Sequence, residues 1–182
     1  MEIQRLPTEE AAVRRYAEEL WIPYNRELET VVESHVLADD VDLVDELVPW
    51  VLDKLETSEY RIAVAVDTET PGADDGFAEA DDGLIGFIAT NLGEPPSVFE
   101  WPDRLLVNEL YVREPSRGTG LAHDLLERAR RRARGEDCTE LVLDVDVDNE
   151  RALAFYEKVG FEPRRHRMRV DAADLDGWDE KR

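Results

Sequence analysis

Val112-Arg113-Glu114-Pro115-Ser116-Arg117-Gly118-Thr119-Gly120-Leu121-Ala122 packs a strand end, a turn and a helix start into 11 residues. The apolar run Leu105 to Val112 reads as a strong strand, and a helical pattern begins inside the glycine-bearing run that follows. Backbone N–H groups at such a helix start have no intrahelical partner, and the helix dipole adds partial positive charge there. Gly118 and Gly120 let the backbone approach an anion closely, and Ala122 keeps the first turn narrow. The expected product is an anion site suited to a pyrophosphate, with Arg117 beside it as a charged donor. No Lys-Ser/Thr pair follows, so a triphosphatase phosphate loop is excluded. The third glycine and the strand-first position of a dinucleotide fingerprint are missing too. A plain tight turn is the alternative.

Working outward, Ile3 to Leu6 reads as a short strand stopped by Pro7. Thr8 reads as the N-cap of a helix running to about Leu20. A second helical stretch, Asp39 to Leu55, places Val41, Val44, Leu47, Val48, Val51, Leu52 and Leu55 at three-to-four spacing. Tyr60–Val66 and Leu84–Thr90 read as paired strands. The acidic stretch Asp67 to Gly83 between them reads as a mobile hairpin excursion with no chemistry of its own. Pro95 and Pro96 interrupt the chain before Leu105. Gly118 to Arg134 follows as a helix with Leu121, Ala122, Leu125, Leu126, Ala129 and Ala133 inward. Glu140 to Val147 reads as a strand, with Asp144 and Asp146 on one face, and Asn149 caps a helix to Val159 that Gly160 ends. Phe161 to Val170 reads as a last strand. The expectation is one α/β layered domain over 1–171, a mixed and largely antiparallel sheet flanked by helices, followed by an acidic, frayed tail over 172–182.

Charge narrows the partners. The chain carries 44 acids against 22 bases, a net of −22, which repels nucleic acid and anionic membranes at long range. Adaptation to a very salty cytoplasm is the simple reading of that surface, and it makes acids near a pocket weak witnesses to substrate. The excess is uneven: residues 1–112 hold 27 acids and 7 bases, whereas 113–182 hold 17 and 15. The apolar runs are too short to span a bilayer, and the start of the chain lacks the pattern of a secretion signal. Both fit a cytoplasmic protein. Cys138 alone supports no disulfide framework and is not marked as a nucleophile, while His35, His123 and His166 lack the spacing of a metal site.

Two segments together resemble the GNAT superfamily of acyl-CoA-dependent N-acetyltransferases. Arg117-Gly118-Thr119-Gly120-Leu121-Ala122 matches its Arg/Gln-x-x-Gly-x-Gly/Ala motif at every defined position, after a strand, Glu109 to Val112, similar to the family's Leu-x-Val. Asn149-Glu150-Arg151-Ala152-Leu153-Ala154-Phe155-Tyr156-Glu157-Lys158-Val159-Gly160-Phe161 is similar to its Asn-x-x-Ala-x-x-Phe-Tyr-x-x-x-Gly-Phe. The resemblance implies a splayed sheet with acetyl-CoA held in a notch between the strands at Leu105–Val112 and Glu140–Val147. The amides of Arg117, Gly118, Thr119, Gly120, Leu121 and Ala122 would take the pyrophosphate, and the backbone of Leu110 and Val112 would pair with the pantetheine arm. Asn149 would hold the far end of that arm, and Arg151 would reach the adenosine phosphates.

Acetyl transfer to an amine needs a neutral nucleophile, a polarised carbonyl and a proton for the departing thiolate. The resemblance gives the last role to Tyr156, whose alternative is a core aromatic beside Phe155. Glu109 is the candidate general base, expected on one face with Val107 and Tyr111; one more solvated carboxylate is the alternative. Asp144 and Asp146 rank behind it. No metal is expected. The leading expectation is direct transfer from acetyl-CoA to a primary amine in a ternary complex. The alternative is an acyl-CoA-binding sensor or interaction module with little turnover. Trp21, Tyr24, Trp50 and Trp101 either line the acceptor site or belong to the core. A protein α-amine, a lysine, an amino sugar and a polyamine all fit as acceptor, and a homodimer through edge strands fits the fold.

Overall fold

A computed structural model describes residues 1–67, 77, 83–93, 98 and 102–175. The chain divides into two compact units, Met1–Asp148 and Asn149–Arg182.

The first unit is built on a five-stranded sheet in chain order: β1 (Glu2–Arg5), β2 (Tyr60–Val66), β3 (Leu84–Gly93), β4 (Arg104–Val112) and β5 (Glu140–Val142). Neighbours from β1 to β4 are antiparallel, and β5 runs parallel to β4. One face is covered by α1 (Glu10–Tyr16), a single π-helical turn (Ala17–Trp21), α2 (Ile22–Glu29) and α3 (Leu43–Glu56). Its core joins Val13, Tyr16 and Leu20 to Val48 and Val51 of α3 and to Ile62, Val64 and Phe87 of the sheet. The other face receives α4 (Leu121–Gly135), which buries Leu121, Leu125, Leu126, Ala129 and Ala133. Ala122, expected inward, is only partly covered.

Three sequence expectations shift at their edges. Leu6 donates its amide to Ile62 O, so pairing with β2 runs up to Pro7 as expected, but Glu9, still in extended backbone, rather than Thr8, takes the cap position. The first helix does not stop near Leu20: the π turn absorbs an extra residue, and α2 continues with Pro23 in its first turn, where a missing amide is tolerated. Pro23 cannot serve Glu19 O, its partner in a regular helix, and Arg113 Nη2 donates to that oxygen at 2.9 Å. The second helix starts at Leu43, because Asp42 accepts from the amides of Val44 and Asp45 and so caps it there.

Two strands are corrected outright. The strand expected over Glu140–Val147 ends at Val142. From Asp144 every second residue to Asp148 is an aspartate that stays exposed. On the alternate positions Leu143 and Val145 are only partly covered and Val147 is 82% exposed, so no buried apolar row continues the ladder. The closing strand expected over Phe161–Val170 does not form. Its apolar Met168 and Val170 are 87% and 58% exposed and bury no face.

The second unit holds α5 (Glu150–Lys158), capped where expected: Asn149 accepts from the Ala152 amide, and Gly160 follows at φ 96°. Ala172–Leu175 form a short 3-10 turn at the start of the expected tail. Most of the 67–83 excursion, Trp101 and residues 176–182 lie outside the described residues.

Candidate active site

β4 pairs with β5 only through Leu105–Leu141 and its two neighbours, ending at Leu106–Val142. From Val107 onward β4 is held by β3 alone among the described residues. Arg113 N donates to Ile85 O, and by antiparallel alternation the N–H and C=O groups of Leu110 and Val112 point away from β3, toward that open side. One wall of the expected notch is therefore present, as an open backbone edge of β4, whereas residues 143–147 form no strand to face it.

A β-bulge re-aims the same strand. Ala89 pairs with Glu109 and Thr90 with Val107, leaving Asn108 as the extra residue. Directly opposed residues share a face. Thr90 Oγ1 accepts from Arg132 of α4, so Val107 lies on the α4 face, whereas Ala89 belongs to the core under α1. Glu109 thus does not share a face with Val107, as simple alternation suggested. It keeps Tyr111 as companion and turns toward the π-helical turn.

There Trp21 Nε1 donates to Glu109 Oε1 at 2.9 Å. Burial raises the Glu109 carboxyl to about 7, and the Trp21 bond opposes that rise without cancelling it. Tyr16 and Tyr60 lie near enough that its charge adds to the upward push that burial gives their hydroxyls. Tyr24 meets Phe87 edge-on and Tyr111 at a tilt, and Trp50 is half-exposed against Tyr60. Trp21 therefore touches a candidate catalytic group.

The glycine turn follows β4. Glu114–Ser116 form a 3-10 turn, then Gly118 and Gly120 take φ 78° and 97°, the left-handed region that glycine enters freely. A Cβ at either position would meet no heavy atom within 4 Å, so the space above the backbone is open. The amide of Arg117 is used by Glu114 O, but the five amides from Gly118 to Ala122 have no partner among the described residues. Five consecutive donors at a helix start form an anion cradle.

The Arg117 side chain points elsewhere than expected. Its Nε donates to Val112 O at 2.9 Å, its Nη2 pairs with Glu27 of α2, and its guanidinium lies 5.9 Å from the Tyr111 ring centre. Tyr111 OH also donates to Glu27, at 3.2 Å. Glu27 was not singled out from the sequence: only the fold brings α2 beside the end of β4.

In the second unit, Tyr156 packs edge-on against Phe155 and Phe161, at 5.4 and 5.5 Å between ring centres. Burial raises its hydroxyl to about 12. The Asn149 side-chain oxygen is taken by the helix cap, and Arg151 is exposed. Asp144 and Asp146 lie exposed beyond the end of β5. His35 Nε2 lies 2.9 Å from Asn25 Oδ1, and burial pushes the Cys138 thiol up. Among the described residues no group of three His, Cys, Asp or Glu is placed to hold a metal ion, and no helix is long and apolar enough to cross a membrane.

A mixed sheet opened beside an amide-lined turn at a helix start belongs to the class of α/β folds built to receive an anionic ligand. Residues 42–161 match the acetyltransferase (GNAT) family, and the chain belongs to it. A stretch of 77 residues is 34% identical to the N-alpha-acetyltransferase MAK3 of Arabidopsis thaliana, covering 42% of this chain and 38% of that protein's length. The fold is similar to that of the BH1408 protein of Bacillus halodurans, with a TM-score of 0.71 at 15% identity over 94% of this chain and 99% of that one. It is also similar to the aminoglycoside 6'-N-acetyltransferase AAC(6')-IG of Acinetobacter haemolyticus, with a TM-score of 0.64 at 18% identity over 94% and 97%.

Proposed function

We propose that this acetyltransferase moves an acetyl group from acetyl-CoA to a primary amine by direct attack in a ternary complex. The carrying observation is the row of five unpartnered amides, Gly118 to Ala122, under open space. That is the donor set a pyrophosphate requires. Acetyl-CoA supplies the activated thioester when bound. The amides of Gly118, Thr119, Gly120, Leu121 and Ala122 bind its pyrophosphate, with the Arg117 fork bracing the turn against Glu27 and Val112. Leu110 and Val112 offer backbone groups to the pantetheine arm, and an amide on that edge polarises the carbonyl. Asn149, through Nδ2, and Arg151 complete the cofactor set by the family pattern.

Glu109, directly or through a water, takes the proton of the attacking amine. A carboxyl poised near pH 7 suits that task. The nitrogen bonds to the acetyl carbon, the carbon–sulfur bond breaks, and Tyr156 gives its hydroxyl proton to the thiolate. A hydroxyl near 12 remains protonated at neutral pH, so the proton is in place, and the thiolate's developing charge must draw it off.

The partial match to an N-alpha-acetyltransferase puts peptide α-amines first among acceptors. The test is thiol release from acetyl-CoA with a panel of peptide N-termini, lysine peptides, amino sugars and polyamines, together with calorimetry of acetyl-CoA. Saturable turnover with one amine class supports the enzyme. Tight acetyl-CoA binding without turnover on any amine supports the sensor reading instead. No binding by a folded chain removes both.

A further inference from the structure

Away from the glycine turn, Arg5 of β1, Arg61 of β2 and Arg128 and Arg132 of α4 open onto one cavity of about 100 Å³. The register explains the convergence. Arg5 opposes Ala63, Ala63 opposes Ile88, and Arg61 opposes Thr90, so these side chains share the face that α4 only partly covers. Arg128 and Arg132 stand one helical turn apart along the same edge of α4.

Among the described residues, four guanidinium groups and no carboxylate line this cavity, in a chain whose acids outnumber its bases 44 to 22. The compensation present is small. Arg61 Nη2 reaches Glu136 at 2.9 Å, whereas Arg132 spends its terminal nitrogens on neutral oxygens of Thr90, Ser58 and Glu59. The Nε atoms of both Arg61 and Arg132 are buried without a partner. Arg5 and Arg128 make no ion pair among the described residues. Burial, then the neighbouring Arg61 charge, pushes the Arg132 guanidinium down to about 10. Four like charges around open space, with buried donors unused and Glu136 as the one carboxylate partner among the described residues, are short of counter-charge.

We propose that this four-arginine cavity is a binding site for a tetrahedral oxyanion, either the free phosphate or sulfate ion or the phosphoryl group of a small ester. The volume holds such a group but not a nucleoside. Planar guanidinium forks grip its oxygens in pairs. The site is separate from the amide cradle: Arg128 lies roughly 12 Å along α4 from Gly120 at 1.5 Å per residue. Occupancy ties β1 and β2 to α4.

The test is calorimetry and thermal unfolding of the full chain with potassium phosphate, at an ionic strength held constant with KCl. Sulfate and O-phosphoserine run in parallel arms. Phosphate binds saturably and raises Tm. Arg5→Gln/Arg128→Gln, which alters only exposed side chains, weakens it roughly tenfold or more. Gly120→Asp, which fills the amide cradle, leaves it in place. O-phosphoserine matching phosphate identifies the phosphoryl group as the ligand, and binding of the inorganic ions alone identifies the free ion; both support the site. A Tm rise that KCl reproduces at equal ionic strength overturns it. So does phosphate binding that survives in the double variant and vanishes in Gly120→Asp.

Discussion

Trp21 donates its indole N–H to Glu109 across 88 positions of sequence, and so ties the π-helical turn to a carboxyl that burial poises near neutrality. The bond favours the charged form of Glu109, while the surrounding core disfavours it. If Glu109 is the base, kcat/KM rises with pH through about 7. Removing the donor by Trp21→Phe moves that acidic limb upward by roughly one pH unit. Glu109→Gln lowers kcat about 100-fold or more at every pH and flattens the limb. A profile unchanged by Trp21→Phe would sink the assignment.

The same group makes a stability prediction that does not depend on catalysis. An ordinary glutamate loses its proton near 4.5, whereas Glu109 holds it to about 7. Between those values the folded state binds more protons than the unfolded one, so stability falls as pH rises. The loss begins near pH 4.5 and is complete above about 7, where it reaches roughly 3 kcal/mol at most. Glu109→Gln carries no such charge. Chemical denaturation at pH 4.5 and 8 therefore finds the variant more stable than wild type at the higher pH, with the difference gone at the lower.

At Gly120 the backbone sits at φ 97°, where asparagine and aspartate are the side chains best tolerated. The two are nearly isosteric and differ by one negative charge. Gly120→Asn measures the cost of adding a side chain over the amide cradle, and Gly120→Asp adds repulsion of a pyrophosphate. Calorimetry with acetyl-CoA should find the aspartate variant at least about tenfold weaker than the asparagine one. Equal affinities would mean that no phosphate lies there.

Gly86 of β3 faces a different constraint. A Cβ there would stand 2.7 Å from Tyr111 O and 3.3 Å from Leu121 Cδ2, so β3 and β4 must part to admit it. Gly86→Ala is expected to cost about 1–3 kcal/mol in denaturant melts and to disturb the strand that carries Glu109. A variant as stable as wild type would show that the sheet yields there freely.

What the sequence disclosed followed from local chemistry. Asn149 and Gly160 bracket α5 because cap geometry is a matter of a few consecutive residues, and the Tyr60–Val66 strand coincides with its apolar run. The glycine turn was legible for the same reason. The bulge at Asn108 was not, since nothing in Val107-Asn108-Glu109 announces an extra residue, yet it decides which face Glu109 occupies. The Trp21–Glu109 and Glu27–Arg117 pairs join residues 88 and 90 positions apart, beyond any local pattern. Alternation also misled at Glu140–Val147 and Phe161–Val170, whose far apolar residues, Val147, Met168 and Val170, stay exposed.

Tyr156 carries the last expectation. Burial holds its hydroxyl near 12, so the proton stays in place throughout the range in which acetyl-CoA is assayed. A proton donor of that kind gives no alkaline limb of its own below about pH 11. Tyr156→Phe keeps the ring against Phe155 and Phe161 and deletes only the hydroxyl, so folding is unaffected. If the hydroxyl protonates the leaving thiolate, kcat falls roughly 10- to 100-fold while the affinity for acetyl-CoA is retained. An acyl donor whose thiol leaves more readily then recovers part of the lost rate in the variant, because a better leaving group needs the proton less. Wild-type turnover in Tyr156→Phe, or a loss confined to KM, assigns the ring to packing and leaves the thiolate to be protonated by solvent.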